Sequence, residues 1–274
     1  MTMMNTKRRT NRILSILLAL LVSMTMFLPA SAAVYRYTRA DGLFRNFIDG
    51  SERQDKVTIK DKNGEDIEVE LPLIARATKS NVTVSSNAVV IRELQATVRK
   101  GTTLTIDRGV TLTVYGDLVV EGTLVNNGTL VIGDKHTFDI KDEFEKELID
   151  AVRARMKFNQ VTVTGTLTNA GTITVREGEL AAQSGGIINS SGTISVNNAA
   201  RNSAGLRAVT LKKGGVTTTG TINNSGTVYV RNTTQTSTGI HVFGGSKFSN
   251  TGSILLGKRG TVKGKITGTQ PRKE

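Results

Sequence analysis

The chain has 274 residues, no cysteine, no tryptophan and a formal net charge of +13. The lack of cysteine excludes disulfide staples, thiolate metal sites, thiol catalysis and a lipoprotein anchor, and a chain of this length buries enough core to do without staples. Aromatic residues make up 4 % of the chain, which leaves little from which to build a ring-stacking sugar site.

Lys7, Arg8, Arg9 and Arg12 precede an apolar run from Ile13 to Leu28, which is followed by Pro29 and Ala30-Ser31-Ala32. Basic residues, an apolar run and small residues at A-x-A spacing form the pattern of a secretory signal. The run falls short of the roughly 20 residues that span a bilayer, and Pro29 breaks a helix. Residues 1–33 are therefore read as a signal peptide, cleaved near Ala32 or Ala33, with no membrane span in the remainder. The expected location is extracellular, either secreted or at the cell surface.

Residues 34–100 read as an N-terminal β capping region. Val57–Lys60 and Asp66–Leu71 flank Lys62-Asn63-Gly64, a hairpin signal. Short strands are expected at Val82–Val84 and Val89–Ile91.

From residue 101 to 268 the chain repeats itself. The copies run Gly122-Thr-Leu-Val-Asn-Asn-Gly128-Thr-Leu-Val-Ile132, then Gly165-Thr-Leu-Thr-Asn-Ala-Gly171-Thr-Ile-Thr-Val175, then Gly186-Ile-Ile-Asn-Ser-Ser-Gly192-Thr-Ile-Ser-Val196. They continue as Gly220-Thr-Ile-Asn-Asn-Ser-Gly226-Thr-Val-Tyr-Val230 and Ser246-Lys-Phe-Ser-Asn-Thr-Gly252-Ser-Ile-Leu-Leu256. The second glycine advances by 43, 21, 34 and 26 residues. The shortest of these steps is read as one rung of a parallel β-solenoid and the others as a rung plus an insertion. The fold class is all-β, a short parallel β-helix of roughly six rungs, because each rung places alternate apolar residues inward and none can bury them alone.

Within each copy Asn126, Asn169, Asn224 and Asn250 share a position with Ser190, and the stacked amides are expected to bond along the axis as a polar ladder. Gly128, Gly171, Gly192, Gly226 and Gly252 are expected to take φ > 0 at the corner between sheets. The first insertion, about 134–158, places Ile140, Phe144, Leu148 and Val152 four apart. It reads as an amphipathic helix on the solenoid flank.

Charge is polarised along the chain. Residues 34–159 hold 19 Lys/Arg against 20 Asp/Glu, whereas residues 160–274 hold 13 against only Glu177, Glu179 and Glu274. Lys212, Lys213, Arg231, Lys247, Lys258 and Arg259 recur every rung or so and are candidate ligand-binding cations if they fall on one face; scattered, they serve solubility. An exported basic segment meets anionic wall polymer, lipid headgroups or acidic polysaccharide rather than nucleic acid. Lys258, Arg259, Lys263 and Lys265 on the last strands, with the basic tail at residues 269–274, would also discourage edge-to-edge addition.

The repeat units resemble right-handed parallel β-helix proteins, the pectin-lyase-like and adhesin-like solenoids of bacterial surfaces. The resemblance implies the fold and admits several functions. Lyases of that architecture use a Lys or Arg base and an Asp cluster holding calcium. The rungs after residue 160 lack such a cluster, and Glu177 and Glu179 read as part of a solvated turn. His136 and His241 have no cysteine partners for zinc, and no G-x-S-x-G elbow occurs. No catalytic residue, metal or cofactor is assigned. The expectation is a non-enzymatic structural or adhesive module. The alternatives are a polysaccharide lyase or hydrolase with its site in the inserted loops at 197–209 and 231–239, where Arg201, Arg207, Arg231 and His241 would have to converge, and a subunit that stacks end to end.

Overall fold

A strand four residues long buries two side chains on one face, so a coil of such strands has a core only where successive rungs align. The repeats satisfy this requirement. A computed structural model describes residues 52–60, 66–90, 94–133, 159–176, 178–197, 204–213, 216–231 and 238–274. Among these the chain is all-β and forms three parallel sheets wound into a β-helix. The expected helix at 134–158, the Lys62-Asn63-Gly64 turn, the signal segment, His136, Glu177 and Arg201 lie outside the described residues.

One rung consists of Gln160–Val163 in the first sheet, Thr166–Asn169 in the second and Thr172–Val175 in the third. The registers are strict. Leu167 pairs with Leu124 on one side and Ile188 on the other, and Ile173 pairs with Leu130 and Ile194. Among the described residues the second and third sheets hold eight strands each, which makes eight rungs, about 34 Å of axis between the first and last at the strand spacing. The bare rung is shorter than 21 residues, since Thr111 pairs with Thr129.

Parallel pairing also begins before residue 101. Ile74–Ala77 pairs with Leu94–Thr97, Val82–Val84 with Leu104–Ile106, and Ala88–Val90 with Leu112–Val114. The region expected to be a separate cap thus supplies rungs itself. Its hairpin is formed by Glu52–Lys60 against Asp66–Ala77, antiparallel, at the edge of the first sheet. At the other end, the residues read as a basic tail continue the coil: Arg272–Lys273 pairs with Leu255 and Leu256.

The core is a single column of mostly Val, Leu and Ile, with four alanines and Phe248, from Val82 to Ile266. It is interrupted in the second sheet by the buried Asn126, Asn169, Ser190, Asn224 and Asn250. Asn126 Nδ2 donates to Asn169 Oδ1 at 2.7 Å, Asn169 Nδ2 to Ser190 Oγ at 3.0 Å, and Asn224 Nδ2 to Asn250 Oδ1 at 2.7 Å. The second hydrogen of each amide goes to a backbone carbonyl, such as Thr172 O for Asn126 and Thr269 O for Asn250.

The corner glycines differ from expectation. Positive φ occurs at Gly185 and Gly245, for example, but at none of Gly128, Gly171, Gly192, Gly226 and Gly252. Their constraint is close approach. Thr172 N donates to Gly128 O, Thr193 N to Gly171 O and Thr227 N to Gly192 O, so each accepting carbonyl lies directly beneath the Cα of the next glycine. A Cβ on Gly171 would overlap Gly128 O, and one on Gly192 would overlap Gly171 O.

Candidate functional site

Outward strand positions carry whatever the coil presents, because the inward ones are committed to the core. On the first sheet, Arg207 pairs with His241 and His241 with Lys263, all at outward positions between buried neighbours such as Leu206, Ala208, Ile240 and Val242. Glu179 lies diagonally from Arg207. Arg207 Nη1 donates to both carboxylate oxygens of Glu179, at 2.7 and 2.6 Å. The Arg207 guanidinium also sits 5.1 Å from the centre of the Phe243 ring. His241 stacks on that ring at 3.8 Å between centroids.

Glu179 is therefore no member of a solvated turn. It opens the strand Glu179–Ala182 and is only 8 % exposed. The turn ends one residue earlier, at Gly178, where the backbone passes so close to Asn159 that a Cβ would collide with its carbonyl. That contact sets Glu179 opposite Gln160. The diagonal Glu179–Arg207 pair spans 28 residues and becomes visible only with the register of the first sheet in hand. One rung below the Gln160–Glu179 pair, the buried Asp117 accepts from Gln95 Nε2 at 3.0 Å.

Burial pushes the His241 pKa below its ordinary value, and the charges of Lys263 and Arg207 push it the same way. A histidine whose folded pKa is depressed contributes constant stability above its unfolded pKa. That contribution is lost as pH falls below the unfolded value of about 6.5 toward the folded one, where the unfolded chain takes up the proton first. His241→Gln is expected to flatten the dependence of melting temperature on pH between 7 and about 5. An unchanged slope would show that His241 titrates alike in both states.

The candidate cations divide between corners. Lys212 and Lys213 lie on Thr210–Lys213, which pairs antiparallel with Val216–Thr219 between the first and second sheets. Val216, on that second strand, is 62 % exposed. Lys247 opens an outward row of the second sheet, in register with Thr221. Arg231 follows the third sheet and binds Glu274, with Nη2 to Oε1 at 2.6 Å. Lys258 and Arg259 are exposed in the turn from the third sheet back to the first. Arg231 and His241 belong to different groups, one paired with Glu274 and the other stacked on Phe243. Among the described residues no three of His, Asp and Glu assemble a metal site.

The chain matches no family model, no curated protein and no solved structure.

Proposed function

We propose that this is an exported, non-enzymatic β-solenoid, structural or adhesive, that attaches at the bacterial cell surface to anionic wall polymer through its basic C-terminal half. One observation carries the reading. From residue 180 to 273 there is no Asp or Glu, while Lys247, Lys258, Lys263, Lys265, Arg272 and Lys273 stand exposed on that part of the coil. The Glu179 carboxylate has both oxygens on Arg207, which leaves it poorly placed for acid–base work on a sugar. The signal pattern at residues 1–33 and the resemblance to adhesin-like solenoids support the same reading.

Co-sedimentation of the purified protein with bacterial cell walls tests it. Binding at low salt that falls steeply as salt rises is expected, since contacts between exposed charges are screened over about 8 Å at physiological ionic strength. No binding at low salt would remove the reading.

A second reading, polysaccharide cleavage of the β-helix type, rests on the adjacency of Arg207 and His241 beside the inserted segments. Incubation with polygalacturonate and detection of unsaturated product separates the two, because an adhesive module yields none.

A further inference from the structure

We propose that the coil engages its polyanion end-on, through a collar of cations around the C-terminal rung, rather than along a flank. This inference rests on the charge-driven attachment proposed above and specifies the surface that performs it.

The terminal rung has one two-residue strand in each sheet: Val262–Lys263, Thr267–Gly268 and Arg272–Lys273. All three sides carry exposed cations. Lys263 lies on the first sheet and Arg272 and Lys273 on the third, and Lys265 precedes the second-sheet strand. The second-sheet strand that follows Lys265 lies on the strand that Lys247 opens, with Thr267 in register with Ser249. Lys258 stands at the corner leading into this rung. The one carboxylate side chain of this end, Glu274, is drawn to Arg231. Successive rungs are about 4.8 Å apart, so along the axis the collar's cations lie within about one Debye length of one another.

Gln270 folds back so that its side-chain amide donates to Ile266 O at 3.2 Å and Gly268 O at 2.9 Å. Asn250 of the preceding rung donates to Thr269 O at 2.7 Å. Edge strands of two residues, rich in lysine, offer little for another strand to pair with. What this surface presents is charge. Lysine predominates, and its ammonium is a point charge on a flexible stem, suited to an irregular polymer rather than to bidentate recognition of one carboxylate.

The test compares two four-charge variants of the purified protein binding to isolated bacterial cell walls across a salt series. The collar variant is Lys258→Gln, Lys263→Gln, Lys265→Gln and Lys273→Gln. The control removes the same charge from the other half of the coil, at exposed positions, with Lys79→Gln, Arg99→Gln, Lys100→Gln and Arg108→Gln. The collar variant is expected to bind about 10-fold or more weakly at low salt and to lose about 3 from the slope of log affinity against log salt, while the control stays near wild type. A Lys→Arg version of the four collar positions keeps the charge and is expected to keep binding, which separates lost charge from a disturbed rung. Acetylation of wall-bound protein should spare the collar lysines and mark Lys100.

Equal losses in both variants would overturn the end-on assignment and leave charge-driven attachment standing. Wild type that fails to bind at low salt would overturn both. Competition by polyphosphate or by polygalacturonate distinguishes a phosphate polymer from a uronate one as the source of the anion, and competition by neither would overturn the proposal.

Discussion

Gly171→Ala is expected to destabilise the coil by about 3 kcal/mol, a fall of roughly 10 °C in melting temperature for a domain of this size. The added methyl group would stand on Gly128 O, the carbonyl that accepts from Thr172 N. Relief would require the rungs to separate where their hydrogen bonds hold them together. Gly185 supplies the contrast: its φ is +89° and nothing lies within 4 Å of where its Cβ would be. Gly185→Ala should therefore cost only the conformational penalty, about 1 kcal/mol. The order of substitutions separates the two mechanisms more sharply than the magnitudes. Asparagine tolerates the left-handed region better than alanine does, so Gly185→Asn should be milder than Gly185→Ala. At Gly171 the larger side chain meets the same carbonyl, and Asn should be worse than Ala. Thermal melts of the four variants decide the matter. If Gly171→Asn were milder than Gly171→Ala, the close-approach account would be wrong.

Both kinds of glycine look alike in a sequence, because each marks a place where a Cβ is forbidden, and periodicity does not say why. The corner glycines were legible as corners, whereas their reason came only from the stacking. The same distinction runs through the fold. The second and third sheets were readable in every copy from the full unit, small, x, apolar, x, Asn or Ser, x, Gly, Thr or Ser, apolar, x, apolar, since that unit spans both strands and the corner between them. The first sheet has no such unit. Leu94–Val98, Asp117–Val120, Gln160–Val163 and Glu179–Ala182 share little beyond an inward apolar pair, and parallel partners lie a whole rung apart in sequence, beyond any local signal. Glu179 consequently read as part of a turn, and its pair with Arg207 went unseen. The rung before residue 101 escaped because Val84 stands where later rungs have asparagine, as Ile106 does above it, so the repeat motif is missing although the packing is present. The cations could be counted but not placed. Their separation into a hairpin, a corner and a terminal collar depends on insertion lengths that shift them around the coil.

Asn169→Leu, a substitution that keeps the branched shape of the side chain, is expected to cost about 2–4 kcal/mol, because it removes the acceptor for Asn126 Nδ2 and the donor to Ser190 Oγ and Thr193 O while those groups stay buried. Ser190→Asn should act in the opposite direction. Along the column every amide donates toward the C-terminal rung, and the direction is interrupted once. Ser190 accepts from Asn169, but Asn224 Oδ1 is buried without a hydrogen-bond partner. The serine side chain is too short to span the next step. An asparagine at 190 would accept from Asn169 through its oxygen and donate to Asn224 through its amide, as Asn169 already does between Asn126 and Ser190. The site has room, since both neighbouring rungs hold asparagine in the same register. The expected gain is about 1 kcal/mol, or 2–4 °C in melting temperature. Replacing Ser190 with valine tests whether volume alone is responsible: valine fills the position without donating, so it should leave Asn224 Oδ1 unsatisfied and fall short of the asparagine variant. If valine stabilised as much as asparagine, the column would owe its stability to packing, and the asparagines would be tolerated guests in an apolar core.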